Sequence, residues 1–315
     1  MEVWGGSQLA DHGAKFRGLE AWVYSKPYGA SARGGDVVYA SSCATGRITR
    51  LMVADVAGHG QAVAATAADL RLLMRRFINC LDQTELVRRL NVQFTALSAQ
   101  SAFATALVAT FFAPTQRLIL CNAGHPRPLL YRASTRQWRL LGRSDVPRTG
   151  GPRNLPLGIL DIADYDSLDI QLQDGDCLMA FTDAIIESQD ADGEVFGEEG
   201  VLRLLQLMGE VEVEPAQLIR TLLGEIDARY PDNLAQDDVT VLVARCTATP
   251  IRYGVGDRVK AFGRFCRTAL GAWRPGAERP PMPDFTLANV GGAIVPALQQ
   301  RWRRRAGDGD GDDQA

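Results

Sequence analysis

The stretch LMVADVAGHG, residues 51–60, decides how the rest of the chain is read. An apolar, strand-like run ends in Asp55, and the chain then breaks into small residues and glycines before a helix-like segment begins. A carboxylate at the end of a buried strand is costly unless something compensates its charge. The glycines that follow allow main chain to approach whatever does so.

The remainder of the 315 residues sets the frame. Apolar residues make up 46% and charged residues 23%, values usual for a globular protein. That length suffices for one large core or two modest ones. A formal net charge of -3 lacks the basic footprint of a nucleic-acid binder. Six cysteines (Cys43, Cys80, Cys121, Cys177, Cys246, Cys266) form no CxxC pair, which argues for a reducing compartment and against structural zinc. No signal-peptide pattern opens the chain and no window reaches membrane-span length, so the expected location is the cytoplasm.

Working outward, residues 1–18 are polar and Gly-rich and read as a loose arm. Strand-like runs occupy 20–25, 36–42 and 48–54. Residues 61–77 turn helical, with Leu70, Leu73, Met74 and Phe77 spaced for one buried face. A second helix is predicted over 84–97 with Thr84 as its cap. Runs at 104–113, 117–122, 129–132 and 138–141 read as a meander, and 142–157 as a loop. Strands at 168–172 and 176–181, helices at 200–208 and 215–230, and a strand at 239–246 complete the pattern. Strands fall in two clusters with paired helices between them, without βαβ alternation. The expected fold class is α+β, two antiparallel sheets covered by helices.

Asp36, Asp55, Asp183 and the pair Asp237 and Asp238 each sit where an apolar run meets a turn. Taken singly, Asp36 is a turn former, Asp183 a helix cap, and Asp237 and Asp238 turn residues before an edge strand. Asp55 resists such a reading. Carboxylates converging from several strands repel unless a cation neutralises them, and oxygen-only ligands select hard cations such as Mg²⁺ or Mn²⁺.

These residues lie in a longer series. GGDVVY, VADVAGHG, NAGHPRPLLY, LPLGI, FTDAIIES, VFGEEG and DDVTVLVA follow one another in that order. The series resembles the metal-dependent PPM (PP2C-type) protein phosphatases, and within them the bacterial branch typified by SpoIIE and RsbU. The resemblance covers about residues 19–246. It implies a four-layer α-β-β-α sandwich holding two Mg²⁺ or Mn²⁺ ions. By motif position Asp55 bridges both ions, Asp183 and Asp237 complete one shell, and Asp36 with the backbone carbonyl of Val56 serves the other. Two such ions, about 3.5–4 Å apart, activate a bridging water for in-line attack on a phosphoserine or phosphothreonine ester. His59 follows Asp55 by four positions, where eukaryotic relatives place a histidine two positions after the aspartate, so no acid role is carried over. Gly58, His59 and Gly60 are assigned to the loop on the substrate side. His125 is read as stabilising a hairpin near the site, and Arg127 and Arg132 as candidate phosphate contacts.

The implied partner is a phosphoprotein, in this branch often a STAS-type anti-sigma antagonist of a partner-switching pathway. Two alternatives stay open: a phosphatase-like domain that binds without turnover, and a metal phosphoesterase acting on small molecules. Domain limits are expected at 1–18 (arm), 19–247 (phosphatase domain), 248–305 (extension) and 306–315 (acidic tail). In the extension, Val259, Phe262, Cys266, Leu270 and Trp273 recur at helical spacing among basic residues. Such a segment suits docking on its own domain or a partner ahead of an anionic membrane surface. The oligomeric state, the preferred ion and the regulatory input are open.

Overall fold

The computed structural model describes residues 2–97, 102–142, 151–208 and 214–248. In chain order its strands are β1 (Glu2–Gly6), β2 (Ala10–Phe16), β3 (Leu19–Lys26), β4 (Asp36–Ser42), β5 (Ile48–Val56), β6 (Ala104–Phe112), β7 (Arg117–Ala123), β8 (Leu129–Arg132), β9 (Gln137–Leu140), β10 (Ser167–Gln171), β11 (Cys177–Phe181) and β12 (Val239–Cys246). Its helices are α1 (Ala64–Phe77), α2 (Gln83–Leu97), α3 (Asp183–Glu187), α4 (Gly197–Leu207) and α5 (Pro215–Asp227).

The strands form two six-stranded sheets, ordered β1-β4-β5-β6-β7-β10 and β2-β3-β12-β11-β8-β9. Every pairing of these strands is antiparallel. Strands β4, β5, β6 and β11 are buried almost throughout, so both of their faces are covered. Three apolar cores supply the cover. Leu19, Val23, Val38, Leu51, Leu107, Phe111, Leu178 and Leu242 interdigitate between the sheets. Leu70, Leu73, Met74 and Phe77 of α1, with Leu86, Leu90 and Phe94 of α2, pack on the outside of the first sheet. Leu204, Leu218, Ile219, Leu222 and Ile226 of α4 and α5 pack on the outside of the second. Three cores between four layers make the α-β-β-α sandwich.

Several expectations are corrected. The expected loose arm over 1–18 is not loose over its described residues, 2–18: β1 pairs with β4 and β2 with β3, one strand at an edge of each sheet. Trp4 anchors β1, with its ring edge-on to His12 and Phe16 of β2. The expected meander is split, since β6 and β7 lie in one sheet and β8 and β9 in the other. The chain crosses at Gly124, whose φ of 68° suits glycine and where a Cβ would meet Pro156 Cγ at 2.5 Å. Pro126 and Pro128 follow, and neither has an N–H for a continuing ladder. His125 therefore sits in a sheet-to-sheet crossover, not a hairpin. Strand β12 is interior, not an edge. At the start of α2 the cap is Asp82, whose Oδ1 accepts from Glu85 N at 2.9 Å and from Thr84 Oγ1 at 2.7 Å. Helix α1 begins at Ala64, after a 3₁₀ turn over Gly60–Ala62. Of the loop read over 142–157, residues 142 and 151–157 are described, and Leu157 pairs with Ala104 and is fully buried. The extension and tail beyond residue 248 lie outside the described residues.

The five cysteines among the described residues are free. No described helix is long and apolar enough to cross a membrane.

Arg50 on β5 pins the α1–α2 pair to its sheet. Only 3% exposed, it donates through Nε to Thr110 Oγ1 at 2.9 Å, through Nη1 to Ile78 O at 2.6 Å and through Nη2 to Cys80 O at 2.8 Å. A cation there meets the carbonyl end of α1, where the helix dipole is negative. Arg50→Met keeps the stem but leaves two carbonyls and a threonine without their donors. The expected cost is about 2–4 kcal/mol. Urea denaturation checks this, and a loss below about 1 kcal/mol contradicts the pinning role.

Candidate active site

The expected carboxylates come to one end of the sandwich from both sheets. Asp36 opens β4 and lies directly across the antiparallel pair from Asp55 near the end of β5. In the other sheet, β11 leads through Thr182 into Asp183 at the start of α3, and Asp237 stands two positions before β12 beside it. Asp36 is 3% exposed, and its Oδ2 accepts from Thr182 Oγ1 at 2.9 Å. The same threonine oxygen accepts from Thr240 N at 3.0 Å. Thr182 thus ties the two sheets together at the base of the site.

The charges crowd one another. Burial, followed by the charges of Asp183, Asp237, Asp238 and Glu187, pushes the Asp55 carboxyl up to about 8. Burial, then Asp55, holds Asp36 well above the usual carboxylate range. Asp183 is raised chiefly by burial. Asp237 is raised by burial first and by its acidic neighbours, with His59 opposing. Glu187 is raised by burial, Asp183 and Asp237. Among the described residues, however, no three His, Cys, Asp or Glu side chains are gathered closely enough to hold a metal ion as they stand. The carboxylates sense one another across the cleft without closing on a common point. Their donor chemistry fits hard divalent cations, because the oxygens are anionic and the crowding that raises Asp55 is what a cation would relieve.

The remaining expected residues fall around this cleft or away from it. Val56 ends β5, fully buried, and its carbonyl lies 2.8 Å from where a Cβ on Gly35 would be. Gly58 and His59 are exposed, while Gly60 is buried with φ of 65°. The His59 ring lies 4.4 Å from that of Tyr28, tilted by 56°. His125 is 5% exposed, and its Nδ1 lies 2.8 Å from Oγ1 of Thr105, the residue paired with Asp55 on its other side. Its Nε2 is buried without a hydrogen bond. The two arginines considered for phosphate are engaged elsewhere. Arg127 is held by Glu198 and Glu199, and Arg132 donates to Asp176 at 2.6 Å.

Three residues of the site escaped the sequence reading. Glu187 stands four positions after Asp183 on one helix face, a spacing visible in FTDAIIES. Thr182 and Tyr28 gave no signal, since their roles depend on contacts between distant segments.

Comparisons with known proteins agree with this architecture. A family model described as Stage II sporulation protein E (SpoIIE) matches residues 45–247. The RsbU and RsbW domains of Rv1364c from Mycobacterium tuberculosis superpose with a TM-score of 0.60 at 23% identity, over 84% of this chain and 72% of that one. The PP2C phosphatase domain of SpoIIE from Bacillus subtilis, with a fragment of its regulatory domain, gives 0.60 at 18% identity, over 76% and 66%. The catalytic domain of the serine/threonine phosphatase PstP, solved with two manganese ions, gives 0.51 at 17%, over 73% and 98%. At these identities the likeness to the solved structures concerns the fold.

Proposed function

Because the chain belongs to the SpoIIE family of PP2C-type phosphatases, we propose that it is a metal-dependent protein serine/threonine phosphatase. The observation that carries the reading is the Asp36–Asp55 pair of one sheet facing Asp183 and Asp237 of the other, with Asp55 pushed up to about 8 by burial and that company. Asp36, Asp55, Asp183 and Asp237, with the Val56 carbonyl, would hold two Mg²⁺ or Mn²⁺ ions, Asp55 being the ligand they would share. When bound, the ions supply an activated water and neutralise the phosphoryl oxygens.

The chain's own residues do the positioning. Thr182 fixes the Asp36 carboxylate by its hydrogen bond to Oδ2. Gly58 and Gly60 let the loop after Asp55 take positive φ, and Gly58 and His59 are exposed on the side from which a phosphorylated side chain would enter. His59, its ring tilted against that of Tyr28, borders that entrance. Among the described residues a thiol nucleophile is a poor alternative. Cys80, Cys121, Cys177 and Cys246 are buried, and burial raises all four thiols. The substrate is a phosphoprotein, and the family's link to partner switching favours a STAS-type anti-sigma antagonist.

A second reading, a domain that binds a phosphoprotein without turning it over, is favoured by the absence of a closed carboxylate cluster among the described residues. A Mn²⁺ titration on a generic aryl phosphate decides between them. Saturable, metal-dependent turnover is expected, and its absence at all Mn²⁺ concentrations supports the binding domain. Comparing a phosphoserine protein with small esters then tests the substrate. A higher kcat/KM for small esters would instead point to a small-molecule phosphoesterase.

A further inference from the structure

The second aspartate of the DDVT motif does something the first does not. Asp238 is 2% exposed, and its oxygens face main-chain N–H groups. Oδ1 accepts from Tyr28 N at 2.6 Å, and Oδ2 accepts from Gly35 N at 2.7 Å and Gly60 N at 3.3 Å. These donors belong to two loops from different sheets: the loop leading from β3 to Asp36, and the loop leading from Asp55 to α1. A Cβ on Gly34 would fall 2.2 Å from Asp238 Oδ1, and one on Gly35 would fall 2.8 Å from Val56 O and 3.0 Å from Gly58 O. The glycines of GGDVVY therefore leave space for this carboxylate and for the Val56–Gly58 main chain. Val56 N also donates to Gly35 O at 3.3 Å, closing the two loops on each other.

On the phosphatase reading above, we infer that Asp238 is a positioning residue that locks the loop before Asp36 to the loop after Asp55 and so presets the spacing of their carboxylates and of the Val56 carbonyl. An ionised carboxylate suits the task because it accepts at both oxygens, whereas a carboxamide presents one acceptor and a donating NH₂. In Asp238→Asn the NH₂ must face at least one of the three N–H groups. One of those groups, Gly35, immediately precedes Asp36; Gly60 belongs to the loop after Asp55; and Tyr28 carries the ring that packs on His59.

The test compares wild type, Asp238→Asn and Gly34→Ala, the last introducing a methyl that displaces the same carboxylate. Two quantities are read. In metal-free protein, amide exchange of Tyr28, Gly35 and Gly60 is expected to quicken at least tenfold in either variant relative to Leu178 and Met179 of β11. In the aryl phosphate assay, well below the melting temperature, the half-saturating Mn²⁺ concentration is expected to rise at least tenfold. A purely structural carboxylate lowers stability without moving that midpoint. Unchanged exchange at the three amides, or an unchanged Mn²⁺ midpoint in an active variant, overturns the inference. If Asp238→Asn does not fold, Gly34→Ala decides by the same two readings. If wild type shows no Mn²⁺-dependent turnover, the phosphatase reading fails, and the exchange rates still decide whether Asp238 holds the loops.

Discussion

Asp55→Ala and Asp183→Ala are each expected to lower Mn²⁺-dependent turnover by at least about two orders of magnitude while the protein stays folded. Asp55 lies across the strand pair from Asp36 and is crowded by Asp183, Asp237, Asp238 and Glu187, so its removal deprives the proposed centre of its shared ligand. The fold does not depend on it in the same way. Each member of a self-repelling buried set weakens the metal-free protein, and deleting one relieves the others. The metal-free variants should therefore melt no lower than wild type by more than a few degrees, about the shift expected for 1 kcal/mol. Wild type should gain thermal stability on adding Mn²⁺ and Asp55→Ala should gain little. Retained turnover in either variant contradicts the assignment. Lost turnover together with a collapsed melting temperature would mean that the aspartates serve the scaffold.

His125 carries the second large effect. Burial lowers its pKa from 6.5 to about 3, so the folded protein keeps the imidazole neutral where the unfolded chain would protonate it. A depressed folded-state value means that the stabilisation is complete above 6.5 and is lost as pH falls from 6.5 towards 3. The full span corresponds to about 4–5 kcal/mol, of which about 2 kcal/mol is gone by pH 5. Nδ1 is taken by Thr105, and the main chain at Phe181 favours the charged form less than burial opposes it. His125→Gln removes the titration, so its stability should fall less than that of wild type between pH 7 and pH 5, by about 2 kcal/mol. Urea denaturation of both proteins at the two pH values measures the difference. Equal losses would exclude His125 as the source.

What the sequence revealed and what it hid follow from how local each signal is. The helical spacing of Leu70, Leu73, Met74 and Phe77 needs only a few turns of chain, and those residues form the buried face of α1. The apolar runs entering Asp55 and Asp183 are equally local, and both end at the expected place. Residues 2–16 misled because Gly5, Gly6 and Gly13 weaken the strand pattern, and their pairing partners lie in β3 and β4. The crossover at Gly124 was hidden because apolar strands look alike whichever sheet they join. Asp238 differs from Asp237 only through N–H groups more than 170 positions away in the chain, which no spacing rule reaches.

The two edge strands β1 and β2 bear on where this molecule may be cut. The family match begins at residue 45, downstream of both, and of β3 and β4 as well. A fragment trimmed to that boundary would strip β5 and β12, two long interior strands, of a neighbour each and would delete Asp36. Bare apolar ladders of that length invite pairing with other chains. A fragment that keeps both sheets whole therefore starts well ahead of the stretch by which kinship is recognised, and expression boundaries are better drawn before Glu2 than at the edge of the homology.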